Sequence, residues 1–196
     1  MNLMPFDELN TFREMATRYV NEPLTLSEKE ELKDDLEEYI EFLLIEAYTY
    51  GNVQAMYDLG LLDEDPNALI KADEMHAEIE KKVAGKTYRE RIREYADSDT
   101  ATVEDFYRVA ETDATRVYNA GVGAGGRNSG LRGVRKRWVT MGDDKVRETH
   151  DYLDGMDVPY DQDFYTFDND HAPSPGNFTL PENNCNCRCT LELFRE

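Results

Sequence analysis

The residues best equipped for chemistry lie near the C-terminal end of the chain. Cys185, Cys187 and Cys189 fall within five residues, and His150 precedes them. Thiolate sulfur and imidazole nitrogen are preferred zinc donors, and a tetrahedral site needs four ligands. His150, Cys187 and Cys189 supply three, and Cys185 or His171 can supply the fourth. Residues i and i+2 of a strand face the same side, so the C-x-C spacing lets Cys187 and Cys189 converge. The same residues also read as a packed thiol pair beside a structural histidine. An odd number of cysteines at such spacing argues against a disulfide framework. A reducing compartment keeps them as thiols or thiolates.

Acid–base chemistry is another reading of the same region. Asp144, Arg147 and His150 are spaced by three, which puts them near one face of a helix. Asp144 can then pair with Arg147 or accept from His150. His150 acting as a general base, helped by Arg147, would make the chain a small nuclease-like or toxin-like effector. The sequence marks neither a nucleophile nor a substrate pocket for it, so structural pairing is the simpler account. Arg188 faces away from the cysteines and can pair with Asp144 or with a partner protein. Arg127, Arg132, Arg135, Lys136, Arg137, Lys145 and Arg147 form a local basic stretch. It can meet DNA phosphates, an acidic partner surface or the chain's own acidic helices; protein contact is the favoured reading.

Composition limits these options. The 196 residues carry 42 acidic against 22 basic side chains, a formal net charge of −20. Such a chain repels nucleic acid on average, which weighs against a zinc-stabilised nucleic-acid-binding module. At 40% hydrophobic the chain can still build a core. The start, MNLMPFDELNTF, lacks the basic and apolar regions of a signal peptide. The longest apolar stretch, near Phe42–Ile45, is far short of the roughly 20 residues that span a bilayer. A non-secreted protein made in a cytoplasm is expected.

The elements that must position the cysteines and histidine follow from periodicity. Ser27 and Glu30 fit a capping box. Leu32, Leu36, Ile40, Leu43, Leu44 and Ala47 then recur at helical spacing, as far as Tyr50 or Leu59. Gly60 and the run to Pro66 break that helix. A second is expected over 66–83 and a third over 87–96. A fourth starts at Thr102 with Asp105 and reaches about Asn119. Six glycines crowd 121–133, which reads as a flexible connector; a nucleotide-binding loop lacks the preceding strand and the following Lys-Ser pair. VRKRWVTM reads as a strand, Asp143–Leu153 as a short helix and CRCTLELF as a closing strand. The expected fold class is α+β: a helical region over 1–120, a connector over 121–133 and a small α+β module over 134–196.

The order Lys136-x-Trp138-x-Thr140, Asp144-x-Val146-Arg147-x-x-His150, Leu153-x-Gly155, Phe164, Pro175–Gly176 and Asn186-Cys187-Arg188-Cys189 resembles the Mu F-like phage head morphogenesis family. The resemblance covers about residues 134–193. It extends weakly back to Val83 through VAGKTYRERI and ATRVYNAG. Cys185 is an additional thiol beside the family-like pair. The resemblance implies a minor head protein without enzymatic activity, carried at low copy in the virion, in the head interior or at the portal vertex. Its implied partners are the portal protein or the major capsid protein, with local contact to packaged DNA and a role in DNA packaging or delivery.

Overall fold

The computed structural model describes residues 6–65 and 67–195. Its fold is α+β. Five helices, α1 (Phe6–Asn21), α2 (Leu26–Leu59), α3 (Ala72–Ile79), α4 (Tyr88–Ala96) and α5 (Val103–Asn128), precede a small sheet region. That region runs β1 (Val134–Val139), α6 (Glu148–Asp151), β2 (Asp157–Pro159), β3 (Phe164–Tyr165), β4 (His171–Ala172), α7 (Pro181–Asn184) and β5 (Thr190–Arg195). The strands form an antiparallel sheet in the order β2-β1-β5 and a separate β3-β4 hairpin. No helix among the described residues is long and apolar enough to cross a membrane.

Local signals explain most boundaries. The α2 capping box is Thr25 with Glu28, two residues before the Ser27–Glu30 pair expected to start it. Both frames contain Ser/Thr-x-x-Glu, so the pattern alone admits either. Gly60 closes α2 in the left-handed conformation (φ 71°) that suits glycine. Thr87 with Glu90 and Thr102 with Asp105 box the starts of α4 and α5. The helix expected over 66–83 is shorter, Ala72–Ile79. Pro66, its expected start, lies outside the described residues.

The glycine-rich run is the main correction. Residues 121–128, expected to be flexible connector, are the last two turns of α5. Helix α5 crosses α2 where side chains have no room. A Cβ on Gly121 would collide with the Tyr48 carbonyl oxygen, and one on Gly51 with the Tyr118 carbonyl oxygen. One on Gly125 would stand 2.5 Å from Ala55 Cβ. Glycine here permits close approach of two backbones, and that packing offsets its low helix propensity. The true link is short, Ser129–Gly133.

Two further expectations change. The helix expected over Asp143–Leu153 is reduced to Glu148–Asp151. Before it, Gly142 takes a left-handed conformation and the Asp143 side chain accepts from the Lys145 N–H, a local turn that competes with helix. The closing strand begins at Thr190 rather than at Cys187. Asn186 is left-handed (φ 55°) and the Cys187 N–H turns back to the Asn184 carbonyl, so the cysteines sit in an irregular run just before β5.

Helices and sheet share one apolar core. It joins Phe12, Leu36, Leu43, Tyr88 and Phe106 to Trp138, Leu153, Phe164, Leu191 and Leu193. Strand β5 pairs with β1 along one edge. On its other edge, helical side chains replace a further strand. The Leu191 N–H donates to Asn119 Oδ1 (2.8 Å) and the Leu193 N–H to Asp58 Oδ2 (2.9 Å). An exposed strand edge is thus closed.

Candidate metal-binding cluster

Strand β1 alternates, so Val134, Lys136 and Trp138 point inward. Trp138 is fully buried and organises the surroundings of the site. Its ring meets His150 edge-on at 5.2 Å and Phe164 at 5.3 Å, and tilts against Phe178 at 5.5 Å. His150 in turn stacks on Phe178 at 5.4 Å. Trp138 and Phe178 thus hold the imidazole on two sides.

The free side of His150 faces two sulfurs. Its Nδ1 lies 3.7 Å from Cys187 Sγ and 3.5 Å from Cys189 Sγ. The three donor atoms lie within 4.8 Å of one another, and all three residues are buried. The C-x-C spacing achieves this although the segment is not a strand. The cysteines point inward while Arg188 points out to Asp143, at 2.7 and 2.9 Å. Its partner is Asp143, not the expected Asp144, which is exposed. Cys185 is also exposed and stands outside the cluster. His171 is elsewhere, hydrogen-bonded to Asp163 at 2.8 Å and stacked on Tyr165.

The two thiols share their proton unequally. The hydrogen bond from Cys189 pulls the Cys187 thiol well below its usual range, against burial and with help from His150. Cys189 is correspondingly pushed up, by its hydrogen bond to Cys187 and by burial. The pair thus sets one thiol that gives up its proton more readily against one that holds it, and a bound cation would favour the thiolate form of both.

The other motif residues fasten the frame around this cluster. Arg147 donates to the main-chain carbonyls of Glu182 and Cys185, which tethers the cysteine segment to the start of α6. Asp144, Arg147 and His150 therefore share no helix face. Thr140 gives its N–H and its hydroxyl to Asp154, at 2.8 and 2.9 Å. Gly155 is left-handed (φ 72°) and its N–H donates to the Trp138 carbonyl. Lys136 is buried, donates to the Pro173 carbonyl at 2.7 Å and lies over the Tyr160 and Phe164 rings. Burial brings its ammonium down to about 8, although Asp163 and Asp161 oppose the shift.

The basic stretch is largely occupied within the chain. Arg127 pairs with Glu74, Arg135 with Asp157 and Arg137 with Glu192. Lys136 and Arg147 bond to carbonyls.

Sequence reading missed three supports of the site. Asn119 donates to the Cys189 carbonyl at 3.0 Å as well as accepting from Leu191. Thr112 accepts from the Asn186 N–H. Asp170 is buried and accepts from the N–H groups of His171, Thr179 and Leu180 and from Asn183. Burial pushes its carboxyl up, but the bonds from Asn183 and the backbone outweigh this and hold it low. Asn119 had a faint signal: an amide in a helix interior is unfavourable without a task.

The description "Phage Mu protein F like protein" matches residues 73–192, and the chain belongs to that family. The match starts ten residues before Val83, where the sequence resemblance faded, and so includes α3, α4 and α5 with the sheet. Over 83 residues the chain is 30% identical to "Minor head protein GP7" of Bacillus phage SPP1, covering 42% of this chain and 27% of that protein. Over 108 residues it is 32% identical to "NAD(+)--arginine ADP-ribosyltransferase EFV" of Enterococcus faecalis (strain ATCC 700802 / V583), covering 54% of this chain and 22% of that protein. The chain thus spans about a quarter of the length of these relatives. No solved structure matches it.

Proposed function

We propose that this chain is a minor head protein of a tailed bacteriophage, a structural component and not an enzyme. It is carried in the virion at or near the portal vertex, serves head morphogenesis and DNA packaging or delivery, and docks on the portal or major capsid protein. The observation that carries the reading is the family match over most of the folded core, joined to a relative named as a minor head protein. Each relative is matched over only about a quarter of its length, so neither name carries over alone, and the family match is what favours the phage reading over the activity in the Enterococcus relative's name. An acid–base role for His150 has a physical obstacle. A general base must reach its substrate, and this imidazole is 1% exposed between Trp138 and Phe178. The experiment is quantitative mass spectrometry on purified particles and procapsids, with the portal as reference. A few copies per portal support the proposal, and absence from both overturns it. Transfer of ADP-ribose by the purified chain would overturn the structural reading as well.

The module's cluster fits zinc, held by His150, Cys187 and Cys189. With Zn–S near 2.3 Å and Zn–N near 2.0–2.1 Å, a tetrahedron places sulfur and nitrogen about 3.6 Å apart. The observed separations of 3.7 and 3.5 Å match that edge. Bound zinc would supply charge and rigidity, tying the segment before β5 to α6. About one zinc per chain, and a lower Tm in chelator, are expected. A metal-free chain whose melting ignores chelator rejects this part alone.

A further inference from the structure

The sequence offers Cys185 or His171 as the fourth zinc ligand, and the structure favours neither. Cys185 is exposed, and its carbonyl is held by Arg147. His171 is held in the β3-β4 hairpin by Asp163 and Tyr165. Instead, the three donor residues line a pocket of about 10 Å³ together with Lys145, Arg147 and Arg188. That volume is about one water-sized sphere. Among the described residues lining it there is no carboxylate. Arg147 spends its N–H groups on carbonyls, which leaves its positive charge beside the pocket. Three protein ligands and an open fourth position distinguish an exchangeable zinc from a closed structural one.

We propose that the fourth coordination position of this centre is open, takes water or hydroxide, and accepts a single small anion drawn in by the surrounding cations. This rests on the zinc reading above and adds an exchangeable position to it. Two thiolates neutralise the dication, so the field at the open position comes from Lys145, Arg147 and Arg188, opposed by Asp143 and Glu111 nearby. The centre would then take a small monodentate anionic donor in place of its water. Such a donor is a halide or pseudohalide ion that binds through a single atom.

The test uses the full chain loaded with cobalt(II), which reports tetrahedral geometry and thiolate number in its absorption spectrum. Azide is the probe anion, and Cys185→Ser is the comparison, since Cys185 is exposed and its loss leaves the core intact. Expected are one cobalt per chain, a saturable shift of the ligand-field bands with azide, and the same sulfur-to-metal intensity in Cys185→Ser. Lys145→Ala should weaken azide several-fold while cobalt stoichiometry stays at one, and unchanged azide affinity in that variant would overturn the role of the surrounding charge. If azide shifts nothing and Cys185→Ser loses about a third of the sulfur-to-metal intensity, Cys185 closes the site and the inference falls, although the zinc reading survives. A folded chain that binds no cobalt or zinc overturns both.

Discussion

Where α2 crosses α5, glycine removes side chains and backbone meets backbone. Where α5 and α2 meet β5, the joint is made instead by polar atoms, from Asn119 of α5 and Asp58 of α2 to strand N–H groups. The first joint rests on shape, with apolar residues filling the space on either side. The second rests on a few directional bonds, each of which leaves a buried group unpaired if cut. The C-terminal module repeats the second pattern throughout: Arg147 to two carbonyls, Asp170 to three N–H groups, Thr140 to Asp154. The helical layer should therefore absorb many conservative apolar changes, whereas the module should fail one residue at a time.

The exception inside the helical layer gives the largest expected effect. Asp113 is fully buried and ion-paired with Arg116, itself 2% exposed, and with Arg91 of α4. Arg116 also donates to the Glu78 carbonyl in the last turn of α3, so the Asp113–Arg116 pair gathers three helices. Asp113→Ala leaves two guanidinium groups without it. Breaking a buried pair from one side costs about 3–5 kcal/mol. Denaturant unfolding of wild type and variant measures this. A loss under about 1 kcal/mol would mean that water reaches the network and that the helical layer has no such weak point.

Gly121→Ala tests the shape joint. The new methyl has to push the Tyr48 backbone away, and overpacking costs about 1–3 kcal/mol. The opposite outcome is instructive: if 121–128 were a flexible linker, the same change would be neutral or slightly stabilising. Asn119→Ala tests the polar joint, stranding the Leu191 N–H and the Cys189 carbonyl at a cost of about 1–3 kcal/mol. If the cluster holds metal, this variant should also bind cobalt more weakly, since Asn119 anchors the residue that carries one sulfur. Loss of stability with unchanged cobalt affinity would separate the joint from the cluster.

The same contrast explains what was legible in the sequence. The start at Thr102 with Asp105, the helical spacing over 87–96 and the apolar stripe from Leu32 to Ala47 mark α5, α4 and α2 because local backbone chemistry and one buried face suffice to specify them. The end of α5 was illegible because a glycine run has the composition of a linker, and only the presence of α2 at contact distance makes it helix. His150, Cys187 and Cys189 stood out by donor chemistry and spacing. Asn119, Thr112 and Asp170 did not, since their partners lie 70 or more residues away or in irregular backbone with no period to read.

A last, smaller effect separates burial from bonding within the module itself. Lys136 is charged below about 8 in the folded chain and near 10.4 in the unfolded one. Between those values the unfolded chain holds a proton that the folded chain has released, so stability rises with pH across that window. Below pH 8 the lysine is charged in both states, and the cost of burying it is present in full. Lys136→Met removes the titration and keeps most of the volume. The Tm difference between variant and wild type should therefore be constant from pH 6 to about 7.5, then shift in favour of wild type up to pH 10. Tyrosines that ionise near the top of this range do so in both proteins and cancel in the difference. A difference that stays flat to pH 10 would mean the ammonium is solvated through the adjoining cleft of about 440 Å³, with Asp161 and Asp163 offsetting its burial. The inward face of β1 would then be wetter, and more accessible to a ligand, than the face that carries His150 and the two cysteines.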